Sequence, residues 1–308
     1  MILDNIVQGI GNTPIVRLRN IGSDSGSSIY VKLEMFNPGG SHKTRIAFNM
    51  IKSAETEGRL RPGVGDTILE PTGGNTGMGV AIAGAVLGYK VVLVIPDNYS
   101  ESKQRLLRAF GTTVINSDSR LGNNSHGQLA MELQFQNPDY VMLNQAANPA
   151  NPDIHRKTTA QEILTDFSGT EIHSFVGGIG TGGHITGIGE VLKDKRPGVQ
   201  IIGVQPEGCD LLKGVFVPHK IQGLAVGIIP PVLNVGLIDR MFTVSFTEAK
   251  TMMRRMMTEE GLSVGLSSGA NIAASLQLAS EIGPGHSVLT MAYDAATDYA
   301  ELLEDTIE

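Results

Sequence analysis

Cysteine and tryptophan are almost missing from this chain of 308 residues, which has one of the former and none of the latter. The lone thiol, Cys209, excludes an internal disulfide and any cysteine-cluster metal site, and it fits a reducing compartment. Aromatic residues are sparse at 5%, and 24 Lys and Arg face 31 Asp and Glu for a formal net charge of -7. There is thus neither a basic stripe nor a stacking platform, and nucleic acid is not an expected partner. The opening MILDNIVQGIGNTP has no basic stretch ahead of an apolar run, and no segment approaches the ~20 apolar residues of a membrane span. A cytoplasmic protein without a membrane partner is expected. His42, His126, His155, His173, His219 and His286 show no metal-ligand spacing, so no metal is expected either.

What the chain does have is a 41% apolar fraction, enough for a substantial core, and 38 glycines that gather in short loops ahead of helical patterns. Short apolar runs read as buried strands over 89–95, 113–115, 140–143, 173–176, 201–204, 241–244 and 287–291, with Thr67-Ile68-Leu69 as another. Amphipathic patterns between them predict helices near 43–57, 75–88, 100–110, 126–136, 151–166, 184–195, 247–259 and 269–281. This alternation predicts an α/β protein with parallel sheets covered on both faces, which binds ligands at the carboxyl ends of its strands. Turn formers from Asn144 to Pro152 suggest a domain boundary near 145.

Three motifs carry chemistry. In Asn37-Pro38-Gly39-Gly40-Ser41-His42-Lys43-Thr44-Arg45 a tight turn feeds Ser41 as the expected N-cap and places Lys43 in the first helical turn. The helix's positive end disfavours an ammonium there, so the pKa of Lys43 should fall toward the neutral amine that condenses with an aldehyde. In Glu70-Pro71-Thr72-Gly73-Gly74-Asn75-Thr76-Gly77 a strand passes through glycines into a helix, an anion site to which Thr72, Asn75 and Thr76 add side-chain donors. In Val176-Gly177-Gly178-Ile179-Gly180-Thr181-Gly182-Gly183-His184 the same logic recurs as a tighter cradle suited to a phosphate monoester. It lacks the Gly-Lys-Ser/Thr ending of a nucleotide P-loop and the acidic partner of a dinucleotide site. A phosphate, a second anion such as an amino-acid carboxylate, and an imine-forming lysine together describe pyridoxal phosphate carrying an amino acid.

On these motifs the chain resembles the cysteine synthase and cystathionine β-synthase family of fold-type II pyridoxal phosphate enzymes. The resemblance runs from Gly11-Asn12-Thr13-Pro14 to Ser267-Ser268-Gly269-Ala270, with five motifs in the same order and spacing. It implies a two-lobed α/β fold of the tryptophan synthase β type, each lobe a mostly parallel twisted sheet flanked by helices. Residues 1–34 with 146–308 would form a larger lobe that binds the cofactor's phosphate and ring nitrogen. Residues 35–145 would form a smaller, mobile lobe with the Schiff-base lysine and the substrate carboxylate loop. The resemblance assigns Lys43 to the Schiff base, Asn75 to the ring hydroxyl, Gly180, Thr181, Gly182, Gly183 and His184 to the phosphate, and Ser267 to the pyridine nitrogen. Thr72, Gly73, Gly74, Asn75 and Thr76 would hold the substrate carboxylate with Gln145 closing over it, and Gly223 lies in the loop bordering the incoming nucleophile. A serine at the ring nitrogen, rather than a carboxylate, leaves that nitrogen largely unprotonated and disfavours transamination.

The implied function is β-replacement on O-acetylserine or serine through an aminoacrylate intermediate, by a homodimer using pyridoxal 5'-phosphate, a small amino acid and a small nucleophile. β-Elimination of the serine dehydratase or cysteine desulfhydrase type shares that intermediate, and a non-catalytic cofactor-binding relic is a reading of another class. Several positions depart from the family pattern. Gly73 stands where a serine is usual, Thr44 where an aspartate is, and His184 where a threonine closes the phosphate loop. The loop Ile221–Pro230 carries larger or non-aromatic side chains, and Tyr293-Asp294-Ala295-Ala296-Thr297-Asp298-Tyr299 replaces the usual Gly-Glu-Arg-Tyr ending. These departures point to a specialised pathway.

Overall fold

Val- and Ile-rich runs alternate with stretches of helical period, and each type takes its own geometry. The computed structural model describes residues 2–72, 74–122 and 124–303. Strands β1 (Ile15–Arg17) and β2 (Ser28–Leu33) come first. There follow α1 (Lys43–Thr56), β3 (Thr67–Pro71), α2 (Asn75–Leu87), β4 (Lys90–Pro96), α3 (Glu101–Ala109), β5 (Thr113–Ser117), α4 (Ser125–Gln136) and β6 (Val141–Met142). The chain continues through α5 (Ala150–Ile154), α6 (Ala160–Asp166), β7 (Ser174–Gly178), α7 (Gly183–Lys195), β8 (Gln200–Pro206) and β9 (Arg240–Val244). It then forms α8 (Phe246–Glu260), α9 (Leu266–Ile282) and β10 (Ser287–Ala292).

Two units result. Unit 1 comprises Met1–Ile10 and Asn37–Asn151, and unit 2 comprises Gly11–Phe36 and Pro152–Glu308. Unit 1 holds a four-stranded parallel sheet in the order β5-β4-β3-β6. Leu69, Val92 and Val94 of this sheet pack on Ala130 of α4. Helices α1 and α2 approach closely because Gly79 has no side chain: a Cβ there would lie 2.9 Å from both Ala47 Cβ and Thr44 Cα.

Unit 2 holds a six-stranded sheet in the order β1-β2-β10-β7-β8-β9. Every pairing is parallel except that of β1 with β2. Successive side chains of a strand point to opposite faces, and this sheet is apolar on both. Val176, Ile202 and Val288 pack with α8 and α9 on one side, whereas Phe175, Ile201 and Leu289 pack with α6 and α7 on the other. A capping box between Ser245 and Glu248 starts α8, whose Met252, Met253 and Met256 enter the first of these cores.

The structure differs from the sequence reading in three places. Strands β1 and β2 are absent from the expected set, because β1 has only three residues and β2 carries Lys32 inside its apolar run. Lys32 is nonetheless fully buried, with its ammonium 2.8 Å from Glu162 and 2.9 Å from the Thr13 carbonyl. The helix expected over 151–166 is three pieces, with a π-helical turn at His155–Thr159 between α5 and α6. Among the described residues no helix is long and apolar enough to cross a membrane.

Candidate active site

In unit 1 the turn before α1 is built on Gly39 and Gly40, both at left-handed φ (79° and 75°), with the Gly40 N–H donating to Asn37 O at 2.8 Å. The helix begins at Lys43, as the sequence predicts, but its cap differs. His42, rather than Ser41, occupies the cap position, while Ser41 Oγ accepts from the Lys43 N–H at 3.3 Å. Lys43 is therefore the first helical residue, and the Thr44 hydroxyl donates back to Pro38 O to brace the turn. The residue keeps some surface, but its ammonium is desolvated, and its pKa falls from 10.5 to about 8. Burial is the dominant cause, and the nearby Glu70 carboxylate opposes it. The direction matches expectation, with burial as its main cause.

Glu70 itself received no role from the sequence. It lies on β3, in the interior of the sheet, and is fully buried. Burial pushes its carboxyl up to about 7, against the downward pull of the Gln145 and Asn144 N–H groups and of Lys43. Each carboxylate oxygen takes one amide: Asn144 N–H donates at 2.7 Å and Gln145 N–H at 3.1 Å. Asn144 adopts a left-handed φ of 54°, a conformation that asparagine tolerates better than most residues. Gln145 is held from two further sides. The Thr76 hydroxyl donates to its Oε1 at 2.7 Å, and Asn151 Nδ2 donates to its backbone carbonyl at 2.8 Å. Thr76 and Gln145, separated by most of unit 1 in sequence, thus meet directly, and the Gln145 amide nitrogen is left to present donors.

The rest of the anion loop follows β3. Thr72 is buried and its hydroxyl accepts from the Gly74 N–H at 3.2 Å, Asn75 opens α2, and Gly73 lies outside the described residues. Gly77 in the first turn of α2 leaves room for Leu93 and Thr72, since a Cβ would lie 3.0 Å from each.

In unit 2, β7 ends at Gly178 and α7 begins at Gly183, with Gly182 as its N-cap at φ 78°. The turn between them is tightly packed at two of its glycines. A Cβ on Gly180 would lie 2.2 Å from the Gly223 carbonyl oxygen, and one on Gly182 would lie 2.6 Å from Leu233. The Ala225 N–H donates to Ile179 O at 2.8 Å, fastening the loop of Gly223 to the turn and holding Ala225 at φ 42°. Thr181 is half-buried in this turn. His184, in the first turn of α7, is buried and sets its Nε2 2.7 Å from the Tyr293 hydroxyl. Its expected place beside a phosphate therefore comes with a protein partner that the sequence did not reveal.

Ser267 is buried in the first turn of α9, whose N-cap is Gly265. A Cβ on Gly265 would meet Asp294 Oδ1 at 2.1 Å, so this helix start abuts the segment after β10. The adjacent Ser268 hydroxyl accepts from the Tyr293 N–H at 2.9 Å. Tyr293 is thus the second participant that sequence reasoning missed. Burial, its largest perturbation, pushes its phenol far above the usual range. Among the described residues no group of three or more His, Cys, Asp or Glu could hold a metal ion.

The family model described as "Pyridoxal-phosphate dependent enzyme" matches residues 6–294. The chain is 44% identical over 290 residues to the cysteine synthase of Staphylococcus aureus (strain Mu50 / ATCC 700699), covering 94% of this chain and 93% of that one. It is 40% identical over 299 residues to the O-ureido-L-serine synthase of Streptomyces lavendulae, covering 97% and 91%. A crystal structure of O-ureido-L-serine synthase superimposes with a TM-score of 0.96 at 39% identity, over 100% of this chain and 97% of that one. With a lysine at a buried helix start, two glycine-bounded strand ends and similarity of this extent, the chain belongs to the pyridoxal-phosphate dependent enzymes of the cysteine synthase type.

Proposed function

We propose that the chain catalyses β-replacement on a serine-derived amino acid, O-acetylserine or serine, with pyridoxal 5'-phosphate as cofactor. The observation that carries this reading is Lys43, an amine whose pKa is lowered to about 8 at the start of α1, in the same unit as the Thr72–Thr76 loop. The residues fit the cofactor. In unit 2 the turn at Gly180–Gly183 admits no Cβ at Gly180 or Gly182 without a clash, and α7 begins where it ends, as an anion cradle of backbone N–H groups requires. Gly180, Thr181, Gly182 and Gly183 would hold the phosphate, Ser267 would face the ring nitrogen, Asn75 the ring hydroxyl, and Lys43 the aldehyde carbon.

Bound there, the cofactor supplies an electron sink that labilises the substrate's Cα–H bond. Lys43 Nζ would take the α-proton. A pKa of about 8 keeps a useful fraction neutral near pH 7 while leaving the protonated form strong enough to return the proton. Glu70 moderates this value from below, since its carboxylate raises what burial lowers. Thr72, Gly74, Asn75 and Thr76 would grip the substrate carboxylate. Gln145, oriented by Thr76, would close over it with its amide nitrogen. Gly223 borders the place of the nucleophile, on a loop whose Val226, Ile228 and Ile229 are exposed and apolar.

The similarity to two synthases of different products favours replacement over net elimination and leaves the nucleophile to experiment. Product analysis with O-acetylserine or serine, each supplied with sulfide or hydroxyurea, is the test. A new β-substituted amino acid is expected from one pair, and Lys43→Ala abolishes it. Pyruvate and ammonia as the sole products would replace this reading with elimination. We also propose a homodimer working in the cytoplasm. The single buried Cys209 is in keeping with a reducing compartment, and exposed apolar side chains such as Leu121 and Phe135 are in keeping with self-association, which light scattering checks.

A further inference from the structure

Two of the positions that depart from the family pattern, His184 and Tyr293, are 109 residues apart in sequence and meet in a single hydrogen bond. Three observations give this meeting a purpose. The Tyr293 hydroxyl accepts from the Gly178 N–H at 2.8 Å and lies 3.2 Å from the Gly178 carbonyl, as well as 2.7 Å from His184 Nε2. Gly178 is the last residue of β7 and His184 lies in the first turn of α7, so the turn at residues 179–183 is what lies between the two groups that the hydroxyl joins. The two rings meet edge to face with centroids 4.9 Å apart and both side chains are buried, so the contact is shielded from water.

We propose that Tyr293 is a positioning residue that clasps the two ends of the phosphate cradle, Gly178 and His184, and links them to the Ser267 segment. The link runs through its own main chain, because the Tyr293 N–H donates to Ser268 Oγ beside Ser267. One phenol has one proton and two lone pairs. It accepts from the Gly178 N–H, and its one proton goes to His184 Nε2 or, where the imidazole donates, to the Gly178 carbonyl, with the Asn271 side chain as a further partner. In both cases the hydroxyl joins the imidazole to the strand end. Gly177 is the complement of this network: a Cβ there would lie 3.0 Å from His184 Nε2 and 3.5 Å from the Tyr293 hydroxyl. Where the family pattern puts a short threonine at the end of the cradle, this chain puts a longer ring and fixes it from behind. The cradle's width is then set by a side chain outside it.

The inference rests on the reading of residues 180–183 as the phosphate cradle, and the test separates the two. Cofactor release from the holoenzyme is followed by loss of visible absorbance after dilution into a trapping reagent, and the bound phosphate by its 31P resonance. Tyr293→Phe keeps the ring and removes only the hydroxyl. It is expected to speed release about tenfold, the effect of losing a buried hydrogen bond of ordinary strength, and to shift the 31P resonance. In a His184→Leu background the same change should speed release by less than it does in the wild type, because one end of the clasp is already open. Release at the wild-type rate in Tyr293→Phe, or additive effects in the double variant, overturns the proposal. Should Tyr293→Phe fail to fold, His184→Leu alone carries the test, and wild-type release there overturns the proposal equally. Gly180→Ala is the control for the cradle. If it leaves the 31P resonance untouched, the cradle assignment fails, whereas a shift there with Tyr293→Phe unchanged refutes only the clasp.

Discussion

Replacing Gly180 by alanine tests the tightest contact of the cradle. The new Cβ would lie 2.2 Å from the Gly223 carbonyl oxygen, about 1.2 Å inside the 3.4 Å at which ordinary contact begins. Gly180 does not have a positive φ, so alanine meets no backbone penalty and the whole effect is steric. The loop cannot retreat freely, because the Ala225 N–H bond to Ile179 O fastens it two residues after Gly223. Overpacking costs roughly 1–3 kcal/mol, and loosening that bond adds about 1 kcal/mol. A total of about 2–4 kcal/mol corresponds to a cofactor affinity weaker by roughly thirtyfold to several hundredfold, at about 1.4 kcal/mol per factor of ten. Part of the cost can fall on folding instead, so the assay pairs a pyridoxal phosphate titration of the cofactor-free protein with its thermal midpoint. Gly223→Ala is the matched comparison. It meets no atom within 4 Å but sits at φ 85°, and so costs about 1–2 kcal/mol through the backbone alone. An unchanged affinity and an unchanged midpoint in Gly180→Ala would refute the steric argument.

Further outcomes follow from the lysine unit. The folded pKa of Lys43 is about 8, below its unfolded value of 10.5, so the unfolded chain binds more protons across that window and the stability of the cofactor-free protein rises between pH 8 and 10.5. Lys43→Met should remove this rise in denaturant midpoints measured against pH. For Glu70 the folded value, about 7, lies above 4.5, so its contribution is full below pH 4.5 and is lost as pH climbs to 7. Glu70→Gln should flatten that decline, and an unchanged slope would show that the carboxyl is not desolvated. Thr76→Val removes the bond that orients Gln145 and should raise KM for the amino-acid donor several-fold to about tenfold with a smaller change in kcat. Gly79→Ala wedges α1 from α2, with its Cβ 3.0 Å from Lys43 O, and should lower stability by about 1–3 kcal/mol in chemical denaturation.

The parts of the fold that the sequence displays are those fixed by local rules. The loops after β3 and β7 are legible because glycine is the residue that such turns demand, and α8 is legible from the amphipathic period over 247–259. What escapes is what depends on distant partners. Lys32 breaks an apolar run and hides β2, and only Glu162 and the Thr13 carbonyl make its burial tolerable. Glu70 stood in plain view within its motif, and a charged residue amid Thr67-Ile68-Leu69 was the available signal. Its partners, the amides of Asn144 and Gln145, lie more than 70 residues away. Tyr293 looked like a mere departure from pattern for the same reason, since its hydroxyl finds Gly178 and His184 only after β10 is placed beside β7.

That placement also orders how the polypeptide emerges from the ribosome. Unit 1 draws all four strands of its sheet from residues 67–142, so that sheet has every strand it needs once this contiguous stretch has been synthesised. The sheet of unit 2 is different, because β10 is inserted between β2 and β7 and pairs with both. Until residues 287–292 leave the exit tunnel, β2 can pair only with β1 and β7 only with β8, and each keeps one open edge where β10 will enter.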